Sequence, residues 1–384
     1  MLLLENARLF PMTEGAMASE AHELLVENGK IKAIGNHLDV PADVTRLNAQ
    51  GKMVTPGLVE SHCHLGGSDL TGSHINERTD PVLPGLRGLD GLNLTSPTFY
   101  RALRTGVTTL ITGPGSANLM GGTFVAVKTA ADSPEKRVFV EEVALKMALG
   151  ENPKMVYGKK NKAPMTRMAC AALMREALFK AREYREKWLK YQEEGGDFTY
   201  NHNLHSLMRA FDGMIVKIHA HTADDIRTAI RIGREFGLKV TLDHCTEGAL
   251  ILDEIKESGY SPIVGPLAGG KSKVELSNKD MTLPAQLEKA GIPFSLTTDS
   301  GVIPMEGLLM QAALTVKYGA SRDVILTALT RQAAVNGGVI DRVGTLEVGK
   351  DADFVIWNTH PFDTMGQPDV VVVDGAIRYE RKEA

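Results

Sequence analysis

Hydrophobic and polar positions follow one rhythm at the two ends of the chain and another in its middle. Near the start, HELLVENGKIKAIG sets Asn28-Gly29 between two short alternating runs, which predicts a tight β-hairpin. Near the end, DADFVIW is followed by VVVDGAIRYE, and Asp374-Gly375 predicts a second hairpin. Isolated hairpins are marginal in water, so two β-rich ends predict one small β domain built from both termini. Its segments are residues 1–52 and 342–384, which leaves 53–341 as a separate core.

In that core, strand-like and helix-like patterns alternate. The run from 214 to 244 shows this best. GMIVKIHAH reads as a strand, and Thr222 with Asp225 stand in capping-box positions. Ile226, Ala229, Ile230, Gly233 and Phe236 then recur at helical spacing. Gly237 sits where a helix C-terminal glycine belongs, and LKVTLDH reads as the next strand. GVTTLITG, SPIVGP and IPFSLTTDS read as further strands, so the α/β pattern predicts a (β/α)8 TIM-like barrel or an open doubly wound sheet. Residues 150–205 interrupt the rhythm. ENPKMVYGKKNKAP predicts a polar loop carrying Lys154, Lys159, Lys160 and Lys162, and 165–192 predicts one long helix. Leu173, Ala177, Ala181, Tyr184 and Trp188 form its apolar face, with Glu176–Lys180, Glu183–Lys187 and Glu186–Lys190 spaced as i, i+4 pairs. This predicts an insertion helix packed on the barrel, with a homo-oligomer interface as the alternative.

Composition narrows the function classes. Of 384 residues, 43% are hydrophobic and 23% charged, as in ordinary globular proteins. A net charge of −4 and a pI near 6.3 argue against nucleic acid or an anionic membrane as partner. Cys63, Cys170 and Cys245 are odd in number and far apart, which suits free thiols in a reducing compartment. The opening MLLLENARLF meets Glu5 too early for a signal-peptide core, and a cytoplasmic location is the expectation.

The candidate chemistry sits at the predicted strand ends. MVTPGLVESHCHLGG ends its apolar run in His62-Cys63-His64, and residues at i and i+2 of a strand point the same way. His219 and His221 close IVKIHAH, His244 closes VTLDH, and Asp299 closes SLTTDS. Five of the chain's 11 histidines therefore stand where barrel enzymes carry function. The nitrogen and oxygen donors suit Zn²⁺, with Mn²⁺ or Fe²⁺ as alternatives. Cys63 points away from its two neighbours and is not expected to join.

VTPGLVESHCHLGG, GVTTLITGPG, VKIHAHT, LDHCTEG, TTDS and GTLEVGKDADFVIW together resemble the amidohydrolase superfamily, most closely its imidazolonepropionase-like and prolidase-like branch. The resemblance implies a barrel with a small β-sandwich domain made from both chain ends. It implies that His62 and His64 hold the more buried metal and that His219 and His244 hold a second where one is present. Asp299 would be both ligand and base. Lys146, carboxylated, would bridge the two metals, with Glu151 as the alternative bridge. His221, on the same face as His219, is expected to polarise or bind the substrate. His74 and Arg78 are expected to hold a substrate carboxylate. Tyr200, His202 and His205 are candidates for a pocket wall, and Gly269, Gly270 and Lys271 are expected in a solvated loop, with a place beside an anionic group as the alternative.

The expected activity is hydrolysis of an amide C–N bond by metal-activated water. The substrate would be a small molecule such as a cyclic amide, an N-acyl amino acid or a short peptide. Rivals are a deaminase of an aminated ring, using the same ligands with one metal, and an inactive barrel serving as a structural partner.

Overall fold

The computed structural model describes residues 1–69 and 72–382. Eight strands form one nearly closed sheet: β1 (Leu58–Cys63), β2 (Val107–Thr112), β3 (Met120–Lys128), β4 (Val138–Ala148), β5 (Ile215–Ala220), β6 (Val240–His244), β7 (Ser261–Val264) and β8 (Ser295–Leu296). Its two edges meet side by side. Ser61 and Ser295 share a hydroxyl hydrogen bond at 2.9 Å, Thr297 Oγ1 donates to the His62 carbonyl, and His64 N donates to the Ser300 carbonyl. The barrel is therefore present, with one departure from the repeating strand–helix pattern. β3 runs antiparallel to both β2 and β4, while the other neighbouring pairs in the sheet are parallel. The reason lies in the linkers. Residues 113–119, rich in Gly and Pro, are too few for a parallel crossover, and 129–137 hold only the short turn Glu135–Arg137.

Where a true βαβ unit forms, the expected signals hold. The helix Ala223–Phe236 starts at Thr222, whose hydroxyl accepts from Asp225 N, and ends at Gly237 with φ +65°. Ile226, Ala229, Ile230, Gly233 and Phe236 are buried along it. Gly233 is needed there, because a Cβ would come within 2.7 Å of the Tyr260 hydroxyl. The long helix spans Arg167–Glu194, capped by Thr166, and buries Ala177, Ala181 and Tyr184. It packs on the barrel, with Phe179 4.9 Å from Phe236 and Arg175 Nε 2.7 Å from Glu235. Lys180 pairs with Glu176, whereas Lys190 reaches Glu194. The expected polar loop before it is instead the helix Glu151–Gly158. Burial of Tyr157, whose hydroxyl donates to the Asp80 carbonyl at 2.7 Å, fixes that helix despite its lysines.

Both hairpins form, with φ of +51° and +76° at Asn28 and Gly29, and +48° and +73° at Asp374 and Gly375. They belong to two sheets. One holds Leu2–Glu5, Glu23–Glu27, Lys30–Gly35 and Thr45–Asn48. The other joins Arg8–Leu9 and Met53–Pro56 to Phe354–Trp357, Pro368–Val373 and Ala376–Glu380. Leu4, Leu24, Val26, Val54, Phe354 and Val372 meet in one apolar cluster shared by the two sheets. Among the described residues no helix is long and apolar enough to cross a membrane.

The end of β3 is tied to these sheets by charge. Lys128 is 1% exposed, and its Nζ lies 2.5 Å from Asp353, 2.9 Å from Asp351 and 3.5 Å from Asp374. Burial alone would lower its pKa, and the three carboxylates outweigh that and raise it. Removing one partner of a buried ionic network strands the others, so Lys128→Met should lower unfolding free energy by about 3–5 kcal/mol in urea titration. An unchanged midpoint would show that this network does not hold the sheets to the barrel.

Candidate metal centre

β1 carries Glu60 and His62 and is followed at once by His64, and each imidazole is fixed through Nδ1. His62 Nδ1 lies 2.6 Å from Asp243 Oδ2, and His64 Nδ1 lies 2.8 Å from the Gly113 carbonyl. His244 Nδ1 lies 2.7 Å from the Gly265 carbonyl. A carbonyl only accepts, so His64 and His244 donate from Nδ1 and keep the Nε2 lone pair free. His219 Nδ1 meets Ser116 Oγ at 2.9 Å, and His221 Nδ1 meets Thr246 Oγ1 at 2.7 Å. This is the outer-shell arrangement that orients metal-binding histidines.

The donor atoms gather into two groups, His62 with His64 and Asp299, and His219 with His221 and His244. In the first, Asp299 Oδ1 is buried without a hydrogen-bond partner of its own. It lies 3.1 Å from His64 Nε2 and 3.7 Å from His62 Nε2. Two acceptors at that separation need a positive charge between them, either a proton or a metal ion. Lys146 comes from β4, 1% exposed, with Nζ 3.4 Å from His62 Nε2. The residues present therefore fit a divalent ion. The two groups adjoin, with the His62 and His244 ring centroids 5.2 Å apart.

Electrostatics favours the same state. Burial first, then neighbouring positive groups, pushes His62, His219 and His244 well below the usual imidazole range. Burial takes His221 down to about 4. All four are neutral at pH 7, the form that binds metal. Burial also lowers Lys146 to about 8 and raises Glu60 to about 7. For Asp299 burial pulls upward, but the contact with His64 and the surrounding positive charge outweigh it and bring the carboxyl down to about 2.

Several other sequence candidates lie outside these groups. Glu151 begins its helix and gives its backbone N–H to Glu275 Oε2 at 2.8 Å, and its carboxylate belongs to neither group. Arg78 lines a cavity of about 560 Å³ together with Ser116, Asn152, Lys159, Lys160 and Lys273. That cavity reaches the second group, since Ser116 and Asn152 both touch His219. His74 lines a separate cavity of about 410 Å³. His202 is exposed, with Nε2 2.9 Å from the Gly85 carbonyl. His205 is enclosed by Tyr184, Trp188 and Tyr200. Lys271 Nζ donates to the Ser277 carbonyl.

Sequence reading missed Glu60, Lys217, Asp243 and Glu275. Glu60 precedes His62 by two residues and Lys217 precedes His219 by two, so the alternation that paired the histidines also marks both. Glu60 accepts from Thr298 N and Oγ1 at 3.0 Å, and Lys217 Nζ lies 3.6 Å from Asp243. Asp243 was hidden because neighbours in a strand should point apart. His244 has φ +75°, which turns its ring back toward the centre that Asp243 also faces. Asp299 also has a left-handed backbone, with φ +49°.

Comparison with known proteins identifies the family. The profile of the amidohydrolase family matches residues 53–378. An imidazolonepropionase from Paracoccus denitrificans is 28% identical over 404 residues, covering 94% of each chain. The amidohydrolase tasK from Hapsidospora irregularis is 27% identical over 93% of this chain, which spans only 40% of that protein. The crystal structure of an amidohydrolase from Thermotoga maritima MSB8 superposes with a TM-score of 0.93 at 37% identity, covering 99% of this chain and 100% of the other.

The Asp243 contact gives a direct test. Outer-shell partners of ligating histidines typically contribute 10–100-fold in affinity. Asp243→Asn should weaken metal binding by about that factor in chelator competition, and wild-type affinity would contradict an orienting role.

Proposed function

Because the chain belongs to the amidohydrolase family, whose members are metal-dependent hydrolases of C–N bonds, we propose that this centre cleaves an amide bond in a carboxylate-bearing small molecule. N-acyl amino acids, carboxylated cyclic amides and short peptides are the candidate substrates. The observation that carries the reading is the unpartnered Asp299 oxygen facing His64 Nε2 at 3.1 Å, beside a buried, partly neutral lysine.

In this reading His62, His64 and Asp299 hold one divalent ion, and His219 and His244 hold a second. The nitrogen-rich donor set favours Zn²⁺, with Mn²⁺ or Fe²⁺ as substitutes. When bound, such an ion lowers the pKa of coordinated water from 15.7 toward about 7 and polarises a substrate carbonyl. Asp299, ionised at neutral pH, takes the proton of the attacking water and passes it to the leaving nitrogen. Lys146, depressed to about 8, has enough neutral amine to add CO₂, forming an N–C bond and losing one proton. The resulting carbamate would bridge the two ions, and Glu151 is the weaker candidate because its carboxylate belongs to neither donor group.

The cavity beside His219 supports this substrate class. Arg78, Lys159, Lys160 and Lys273 line it against the single acid Glu151, an excess of positive charge suited to a carboxylate. His74 lines the separate cavity of about 410 Å³ and His202 bonds the carbonyl of Gly85 at its border, so a role for them would be in the walls of the approach.

The terminal sheets are proposed to form a small β-sandwich of residues 1–52 and 342–384, with Met53–Pro56, paired between Arg8–Leu9 and Phe354–Trp357, as the strand leading into the barrel. Their common apolar cluster and the pairing of Met53–Pro56 with Phe354–Trp357 support that division. Three free, buried cysteines accord with a cytoplasmic location, and the exposed outer face of the long helix is the candidate surface for self-association.

Asp299→Asn should reduce turnover about 10²–10⁴-fold, the usual range for a general base, while most metal is retained. Rates and metal content are read on the same samples with a panel of N-acyl amino acids, cyclic amides and dipeptides. Retained turnover would remove Asp299 as the base, and equal rates on carboxyl-blocked analogues would remove the carboxylate requirement.

A further inference from the structure

One side chain in the cavity beside His219 has no part in the chemistry proposed above. Asn152 stands in the first turn of the helix Glu151–Gly158 and lines that cavity. Its amide lies between a lysine and a candidate metal ligand. Oδ1 accepts from Lys273 Nζ, and Nδ2 lies 3.4 Å from His219 Nε2. An ammonium group only donates, so the atom facing Lys273 is the oxygen. That contact fixes the amide orientation and turns the NH₂ group toward the histidines.

The lysine is itself held. Lys273 Nζ lies 3.8 Å from Glu275 Oε1, and Glu275 Oε2 accepts the Glu151 backbone N–H at 2.8 Å. The loop after β7 is thus joined to the head of the helix at two neighbouring residues. Gly150 makes the approach possible, because a Cβ there would stand 2.6 Å from Glu275 Oε2. The Glu275 side chain is 4% exposed, so its end of the clamp is shielded from water.

His219 Nδ1 already meets Ser116 Oγ, which leaves Nε2 as the nitrogen available to a metal ion. Among the described residues, His219 Nε2 is also the one hydrogen-bond acceptor that Asn152 Nδ2 meets. Both uses draw on a single lone pair. With that lone pair given to an ion, the Asn152 NH₂ is left without a partner where the cavity meets the donor groups.

We infer that Asn152 is a catalytic residue of this centre, donating from Nδ2 to the oxygen of the scissile amide as negative charge develops there, an assignment that rests on the amide-hydrolase reading. As the water oxygen adds to the amide carbon, its proton goes to Asp299 and the carbonyl π pair moves onto oxygen. The pair returns as the C–N bond breaks, and the nitrogen leaves with the proton from Asp299. Asn152 exchanges no proton in this sequence. It supplies a fixed dipole already aimed at the developing charge, which needs no reorganisation during the step. Lys273 is the positioning residue that holds it.

The test compares full-length, Zn²⁺-loaded wild type with Asn152→Ala, Asn152→Asp, Lys273→Met and Lys273→Arg on N-acyl amino acids, cyclic amides and dipeptides. Loss of one oxyanion donor lowers kcat about 10²–10³-fold, so Asn152→Ala should fall by that factor with KM little changed. Asn152→Asp is nearly isosteric but puts an acceptor where the donor stood, and it should fall at least as far. Lys273→Met should lower kcat by less, and Lys273→Arg should restore it. A phosphinate analogue of the substrate cleaved fastest, tetrahedral like the intermediate, should lose affinity for the Asn152 variants in calorimetry. Zn²⁺ affinity in chelator competition should stay at the wild-type level. Near wild-type kcat in Asn152→Asp, or a loss of Zn²⁺ that accounts for the fall in rate, would overturn the assignment. A rise in KM alone in Lys273→Met would remove Lys273 as the positioning residue. A wild type that cleaves none of the panel would overturn the amide-hydrolase reading itself, an outcome distinct from loss of the Asn152 role alone.

Discussion

The Asp243 carboxylate is the constraint on which the centre depends. It is fully buried, accepts from Thr241 Oγ1 at 2.7 Å, holds His62 Nδ1 at 2.6 Å and faces Lys217 Nζ at 3.6 Å. Those contacts join β1, β5 and β6 through side chains. A network of this kind in a low-dielectric interior is favourable only when its members are satisfied together. It fixes the ring of His62, and with it the separation of the two donor groups. The barrel floor beneath the site is thus polar and tightly specified, while its apolar packing lies between strands and helices.

The antiparallel β3 is part of the same design. A crossover helix after β2 would carry the chain away over the outer face. The short link 113–119 instead crosses the mouth of the barrel. Its Gly113 carbonyl orients His64 and its Ser116 hydroxyl orients His219, so one linker positions a ligand in each group. At the other end of β3, Lys128 fastens the barrel to the sheets formed by the chain termini. The departure from regular alternation serves the site at one end and the assembly of the chain at the other.

Much of this was legible in the residues. Alternation along a strand paired His62 with His64 and His219 with His221, because that rule is local and geometric. The Asn28-Gly29 and Asp374-Gly375 turns and the Thr222 cap are equally local, and each stands where the sequence put it. What escaped depends on long-range packing. The direction of β3 follows from linker length, which a tally of apolar runs does not weigh. The helix at Glu151–Gly158 depends on the burial of Tyr157 against a segment more than seventy residues away. Asp243 was masked by the left-handed backbone of its neighbour His244, and Glu275 reaches the centre from a turn with no strand pattern to mark it.

The central proposal is that this chain hydrolyses an amide C–N bond through a metal held by these side chains. The most direct measurement titrates Zn²⁺ into chelator-stripped protein while following release of amine and carboxylate from N-acyl amino acids, cyclic amides and dipeptides. The account predicts that the stripped protein is inactive and that hydrolysis of at least one class rises in proportion to bound metal. Full activity without metal would contradict it, as would metal-dependent release of ammonia from aminated rings with no new carboxylate.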